Sequence, residues 1–134
     1  MTDFEPTERW IAPRALASDG LRWHARAYCF LHREFRDFVL TRMSSITTSK
    51  NSKTSRPVSD LPNDGEWTTF VELDLIPAAT LSATQAAAIR REYGFAKDIL
   101  TIRVREALVF YAIRRWGLDR RDSRLSILAQ RKVS

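Results

Sequence analysis

The sequence predicts an α+β fold in two parts, a small β-barrel followed by a strand–helix–strand–helix module. Apolar and polar residues alternate from Arg22 to Cys29, which is typical of a β-strand. A polar, turn-rich stretch at residues 48–66 holds almost nothing to bury, and helical spacing of apolar residues follows in the second half. The 134 residues suffice for two very small domains. We therefore expect domains at residues 1–47 and 67–134, joined by a flexible linker at 48–66.

The first part is expected to be built from β-strands. A turn signal, Ser18-Asp19-Gly20, precedes the strand from Arg22 to Cys29, and residues 31–34 form the loop after it. Phe35–Met43 carries apolar groups on both parities, as expected when a strand curls in a small barrel. About five short strands in such a length would close an SH3-like barrel. In the first strand the apolar parity consists of Trp23, Ala25, Ala27 and Cys29, and the other parity of Arg22, His24, Arg26 and Tyr28.

The second part is expected to begin with a strand and a helix. Pro77 ends the strand, one side of which is formed by Trp67, Thr69, Val71, Leu73 and Leu75. Ser82 followed by Gln85 is a capping-box pattern that opens a helix, and Gly94 stands where a C′ glycine belongs. One stripe of this helix consists of Ala86, Ile89 and Tyr93.

A second strand and a second helix complete this module. The strand alternates at Leu100, Ile102 and Val104. The helix after it ends before Gly117, and its apolar positions are Val109, Ala112, Ile113 and Trp116. Strand–helix–strand–helix in so short a length predicts a small α+β sandwich. Residues 118–134 are basic and weakly patterned, and the sequence leaves their structure open.

The charge of the chain favours anionic partners. The formal net charge is +6, from 22 Lys and Arg against 16 Asp and Glu, and most of the excess lies in residues 67–134. The single Cys29 cannot form an internal disulfide, which suits a reducing compartment. No long apolar run and no signal-peptide pattern is visible. We therefore expect a cytoplasmic protein without a membrane partner.

The sequence shows no motif of catalysis or cofactor binding. A metal site needs three or four converging ligands, but His24 and Cys29 lie on opposite strand parities and only His32 remains as a further nitrogen or sulfur donor. The four glycines match neither a P-loop nor a dinucleotide fingerprint, and no Gly-x-Ser-x-Gly elbow occurs. We expect no metal, no cofactor and no catalytic residue. An enzyme acting on nucleic acid stays an open alternative, because absent motifs are weak evidence.

Arginine and aromatic residues are interleaved from Arg22 to Arg42. Guanidinium groups bind phosphates and aromatic rings stack on bases, so this stretch suits a polyanion. The alternative is that the rings form the barrel core while the arginines lie in solvent at its rim. For the aromatic residues we favour the core position. The arginines are Arg22, Arg26, Arg33, Arg36 and Arg42, and the aromatic residues include Trp23, Tyr28, Phe35 and Phe38.

The order of these residues resembles the WYL domain of bacterial transcriptional regulators. The resemblance is carried by Trp23-His24-Ala25, by Tyr28 and by the run from Arg33 to Arg42, after a lead-in segment from Arg9. The second half, from Ser82 to Leu118, is similar to the C-terminal extension that supports dimerisation in defence-associated repressors. In all, the resemblance covers about residues 8–118.

The resemblance implies an SH3- or Sm-like barrel that senses a nucleotide or a single-stranded nucleic acid, in a homodimer. By motif position, Arg33, Arg36 and Arg42 fall on arginine positions that the family uses for its ligand. We expect Arg36 and Arg42 to be the main contacts, with Arg33, Arg26 and His24 next. His24 stands where the family often has a tyrosine, so a structural role for this histidine is the alternative.

The resemblance also implies a domain ahead of the barrel. Family members usually carry a winged helix there, and this chain begins only a few residues before the barrel. Residues 126–134 also depart from the family's usual ending. We therefore expect the chain to be either part of a truncated regulator or a protein that acts without a domain of its own for binding operator DNA. In the second case the chain is an interaction protein that forms mixed dimers with a full-length relative.

Overall fold

The computed structural model describes residues 7–47 and 61–133, and the chain divides into two compact units, Met1–Asn63 and Asp64–Ser134. Most of the expected linker, residues 48–60, lies outside the described residues. Its last residues belong to the second unit, because Asp64 is buried there and its side chain caps a short helix by accepting a hydrogen bond from the backbone N–H of Trp67.

The first unit contains a three-stranded antiparallel sheet in the order β1-β2-β3. The strands are β1 (Ile11–Ser18), β2 (Trp23–Cys29) and β3 (Glu34–Val39). The predicted turn before β2 is confirmed, with Gly20 in the left-handed region at φ 91°. The loop after β2 brings Arg33 to φ 55°, and its N–H donates to the Cys29 carbonyl at 2.8 Å.

The prediction of five strands in a closed barrel is not met by the described part of this unit, where three strands form an open sheet. The second predicted strand, Phe35–Met43, is shorter because the chain turns into a 3-10 helix at Leu40–Arg42. The N–H of Met43 donates to the Leu40 carbonyl and therefore leaves the ladder. Local apolar pattern does not reveal such a turn, since Leu40 and Met43 continue the apolar spacing.

The second unit contains another three-stranded antiparallel sheet in the order β5-β4-β6. The strands are β4 (Phe70–Pro77), β5 (Leu100–Arg105) and β6 (Leu125–Val133). The helices are α1 (Gly65–Thr68), α2 (Ala83–Glu92) and α3 (Val109–Arg115), with a 3-10 helix at Glu106–Leu108. The α+β class is thus confirmed for the chain as a whole, as two small antiparallel sheets with few helices.

The core of this unit lies on one side of β4, whose residues alternate strictly between buried and half-buried. Val71, Leu73 and Leu75 are buried with Ile89 of α2 and Leu125 of β6. Half-buried residues of β5, of α3 and of the position after α3 complete the core, among them Leu100, Ile102, Val104, Val109, Ile113 and Trp116. The predicted succession of strand, helix, strand and helix is observed in β4, α2, β5 and α3, but Tyr93, predicted on the apolar stripe of α2, is exposed.

The ends of α2 and α3 form as the sequence predicts. Ser82 and Gln85 make a complete capping box at the start of α2, and Gly94 follows that helix at φ 72°. Gly117 follows α3 at φ 66°. In both cases a glycine takes the left-handed conformation that other residues adopt only at a cost.

Two elements differ from the prediction. Trp67 lies in α1 rather than in β4, because the Asp64 cap starts a helical turn there. Residues 118–134, left open by the sequence, include β6, which pairs along the whole of β4 from Phe70 to Pro77. No helix within residues 7–47 and 61–133 combines the length and the apolar character needed to cross a membrane.

Candidate functional site

The register of β2 and β3 divides the predicted ligand residues between two faces of the first sheet. His24 pairs with Val39 and Arg26 pairs with Asp37, whereas Arg36 pairs with Ala27. Residues directly opposite one another in an antiparallel ladder project to the same face, and neighbours along a strand to opposite faces. His24 and Arg26 therefore share one face, and Arg36 lies on the other.

His24 is buried, with 3% of its surface exposed, and it holds the turn between β1 and β2. Its Nε2 lies 3.2 Å from Oδ2 of Asp19, while Oδ1 of Asp19 accepts from the N–H groups of Leu21 at 2.8 Å and Arg22 at 2.7 Å. The backbone N–H groups of Arg22 and Leu21, and then His24, hold the pKa of Asp19 well below its usual range. The Asp19 carboxylate thus holds the turn between β1 and β2 by binding two backbone N–H groups and the His24 ring.

Arg26 is also buried, with 5% exposed, and it packs in a cluster of rings and charges. Its Nη1 lies 3.4 Å from Oδ1 of Asp37, and its guanidinium lies 6.0 Å from the centroid of the Phe35 ring. Arg14 approaches the same ring at 5.6 Å, and Tyr28 meets it edge-on at 5.2 Å. The position of Arg26 is therefore fixed by its neighbours on the sheet.

The remaining predicted arginines are accessible to a ligand. Arg36 is partly exposed, and its Nε donates to Oε1 of Glu34 at 2.7 Å. Arg33 is exposed in the loop after β2, and Arg42 is exposed at the end of the 3-10 helix. The structure thus separates the five predicted residues into two buried side chains on one face of β2 and three accessible ones elsewhere.

Only some of the aromatic residues of this unit are shielded from solvent. Phe35 and Phe38 are half-buried, but Trp23 is exposed, so the prediction of a core position is wrong for Trp23. The sequence also did not indicate Arg9 and Arg14, which lie 5.8 Å from the Phe38 ring and 5.6 Å from the Phe35 ring. Alternation along β1 does not predict the face on which Arg14 lies, because the register of β1 shifts between Pro13 and Ala15.

The described residues contain no group of three or more His, Cys, Asp or Glu side chains arranged to hold a metal ion. Cys29, a possible sulfur ligand, is fully buried on the face of β2 opposite to His24. The groups of this site that can bind a ligand are therefore guanidinium groups and aromatic rings.

Two protein-family models match the chain, one on each unit. The WYL domain model matches residues 2–48, and the model of the C-terminal dimerization domain of the BrxR transcriptional regulator matches residues 70–133. The chain therefore contains a WYL domain followed by a BrxR-type C-terminal dimerization domain, as the resemblance in the sequence predicted. Both are regulatory rather than catalytic domains, which confirms that the chain does not belong with the enzymes.

The curated proteins to which the chain is similar are transcriptional repressors. The DNA-binding transcriptional repressor CapW of Stenotrophomonas maltophilia is 36% identical over 115 residues, which cover 86% of this chain and 37% of the repressor. CapW of Pseudomonas aeruginosa is 35% identical over 130 residues, covering 96% and 42%, and CapW of Escherichia coli is 32% identical over 124 residues, covering 92% and 40%. The chain spans about two fifths of the length of these relatives and is a distant homologue of them.

Proposed function

We propose that this chain is the sensing and dimerising part of a bacterial transcriptional regulator, acting in the cytoplasm. Its WYL domain would bind a nucleotide or a single-stranded nucleic acid, and its second unit would hold two copies together. The observation that supports this proposal is the succession of a WYL domain and a dimerization domain in one chain. The name of the relatives, DNA-binding transcriptional repressor, supports the regulatory role. The closed SH3- or Sm-like barrel stays a proposal, because the described strands form an open sheet.

Among the predicted residues, Arg36 and Arg42 are proposed as the main ligand contacts, and Arg33 as the next. Arg33 and Arg42 are exposed and the Arg36 side chain is 40% exposed, and a planar guanidinium binds phosphate through two parallel hydrogen bonds. The ion pair with Glu34 orients Arg36 without burying it. Arg26 and His24 come second, because both are buried and a ligand reaches them only if the sheet opens locally.

The mechanism proposed is a shift between two arrangements of the dimer. A ligand moves such an equilibrium only by as much as it prefers one arrangement over the other. Phosphate contacts by Arg36 and Arg42 would supply this difference if their positions change between the two arrangements.

Fluorescence anisotropy of short labelled single-stranded DNA and RNA, at several salt concentrations, tests the WYL site. We expect saturable binding that weakens with salt, and a further loss of about tenfold or more in the double variant Arg36→Ala/Arg42→Ala. The matched control is Arg91→Ala/Arg121→Ala, which removes the same charge from exposed positions of the second unit. Equal weakening by both double variants would leave only non-specific attraction and remove the proposed WYL site.

The alternative function is that of an interaction protein that forms mixed dimers with a full-length relative. The dimerization domain at residues 70–133 supports it directly. Size-exclusion chromatography with light scattering, after mixing and incubation with a full-length CapW, tests this function. A heterodimer of intermediate mass is the expected result, and the persistence of two separate species would exclude mixed dimers.

A further inference from the structure

The second sheet has a face that the core of its unit does not use. Val71, Leu73 and Leu75 point into the core, so Phe70, Glu72 and Asp74 project to the opposite face. Within β5, Arg105 pairs with Phe70 and Arg103 pairs with Glu72, which places both arginines on that same face. We call Arg103, Arg105, Phe70 and Trp67 the stacked-arginine patch.

Aromatic rings fix both arginines of this patch. The guanidinium of Arg103 lies 4.4 Å from the centroid of Phe70, and that of Arg105 lies 4.9 Å from the same ring and 4.5 Å from Trp67. Nη1 of Arg105 also donates to the Trp67 carbonyl at 2.6 Å. A guanidinium held by its face keeps the N–H groups of its edge available, and it loses less side-chain freedom when it binds.

The acidic residues of this face, Glu72 and Asp74, are bound by Arg131 and not by the arginines of the patch. Arg131 of β6 binds Glu72 Oε1 through Nε at 2.9 Å and Asp74 Oδ2 through Nη1 at 2.6 Å, and Thr101 donates to Asp74 at 2.7 Å. The hydrogen bond from Arg131, and after it the one from Thr101, lowers the pKa of Asp74 below its usual range. This carboxylate therefore stays charged and bound. Negative charge on the face is therefore gathered around Arg131.

The charge at the other end of the face is positive. Arg103 is exposed, and among the residues that the structure describes it has no ion-pair partner, although Glu72 stands across the ladder from it. Glu106, which follows β5, is bound by Lys132 at 2.9 Å. The edge of the Arg103 guanidinium is thus open to an anion from outside the chain.

We propose that the stacked-arginine patch binds phosphate groups, and that the dimerization unit thereby carries a phosphate-binding surface of its own, apart from the arginines of the WYL domain. Arg103 and Arg105 are two positions apart on β5, about 6.6 Å at the rise of a strand, so each can engage a separate phosphate. The source we favour is the backbone of a single-stranded nucleic acid, since repeated phosphates use both arginines at once and the chain is basic overall.

Single variants of the full chain test this site. Labelled single-stranded DNA is titrated by anisotropy into the wild type, Arg103→Ala, Arg103→Lys and the control Arg91→Ala, which removes an exposed charge from α2. We expect Arg103→Ala to weaken binding about tenfold and to lower the salt slope by about 0.7, the value for one lost contact with a single strand. Arg103→Lys should retain part of the affinity, because it keeps the charge and loses the planar fork. Melting curves establish that each variant is folded.

Two further comparisons separate the possible outcomes. Titration with inorganic phosphate, followed by NMR shifts at Arg103, distinguishes a site for isolated phosphate from one that needs a strand. The Arg36→Ala/Arg42→Ala variant should keep an Arg103-dependent part of the affinity, so a failure of the WYL site leaves this proposal standing. The proposal is overturned if Arg103→Ala binds DNA as Arg91→Ala does, or if the wild type binds neither probe.

Discussion

Two polar side chains on β2 of the WYL domain are buried, and each lies beside a carboxylate. His24 meets Asp19 at 3.2 Å, and Arg26 meets Asp37 at 3.4 Å, on the same face of the first sheet. Removing one partner of a buried pair leaves the other charge without compensation, which costs more than the pair itself contributes. Loss of one partner is therefore expected to disturb the turn before β2 in the first case and the pairing of β2 with β3 in the second.

The Asp19 carboxylate makes the first unit sensitive to acid. Its pKa is lower in the folded chain than in the unfolded one, where it is about 3.9, so its contribution to stability is present above that value and is lost as the pH falls. We expect the thermal midpoint of the wild type to fall below about pH 5. Asp19→Asn keeps an oxygen that accepts from Leu21 and Arg22 but loses the charge, so its midpoint should fall less steeply with pH.

Circular dichroism melts between pH 7 and pH 3 measure this difference. Asp98→Asn removes one negative charge at an exposed position of the second unit and serves as the control for net charge. Parallel pH profiles for the wild type and Asp19→Asn would contradict the role assigned to the Asp19 carboxylate.

Among the secondary-structure elements, β4 organises the second unit, because it is the central strand and pairs with both β5 and β6. Leu73 lies at its middle with 0% of its surface exposed. Leu73→Ala removes buried methyl groups and leaves a cavity, so we expect it to lower the free energy of unfolding by about 2–5 kcal/mol in urea titrations. The matched control is Leu128→Ala in β6, where the side chain is 56% exposed and the expected loss is below about 0.5 kcal/mol. Similar losses in both variants would argue against a core centred on β4.

The elements that the sequence predicts correctly are those whose signals are local. The capping box of Ser82 and Gln85 and the alternation around Leu73 each depend on residues a few positions apart. Strand β6 escaped prediction because its residues are mostly exposed on both faces, and its pairing with β4 joins residues 48 to 63 positions apart in the chain.

The candidate site shows the same division between local and long-range information. Parity within β2 correctly places His24 and Arg26 on one face. The position of Arg36 on the opposite face depends on the register between β2 and β3, which loop geometry and side-chain burial set together. The stacking of Arg103 and Arg105 similarly requires the pairing of β5 with β4, although their alternation with Ile102 and Val104 is visible in the sequence.

At the scale of the whole molecule, the proposed function assigns sensing to the first unit and dimerisation to the second. The buried core of the second unit is small, with Val71, Leu73, Leu75, Ile89 and Leu125 as its buried members. Units of this size bury only part of the surface that larger domains bury and are marginally stable alone. Association with a second copy is a common way for such a unit to gain stability.

Dimerisation should therefore appear in both mass and stability. Light scattering should give about 31 kDa, twice the chain mass of 15.5 kDa, and the melting temperature should rise with protein concentration, because dilution favours dissociation and the dissociated unit unfolds more readily. The Arg36→Ala/Arg42→Ala variant should give the same mass, since both side chains lie in the WYL domain. A constant mass of 15.5 kDa and a melting temperature independent of concentration would show that this chain does not dimerise, and the sensing proposal would then require a mechanism within one copy. A dimer that persists in that variant while its DNA binding falls would separate the two tasks experimentally.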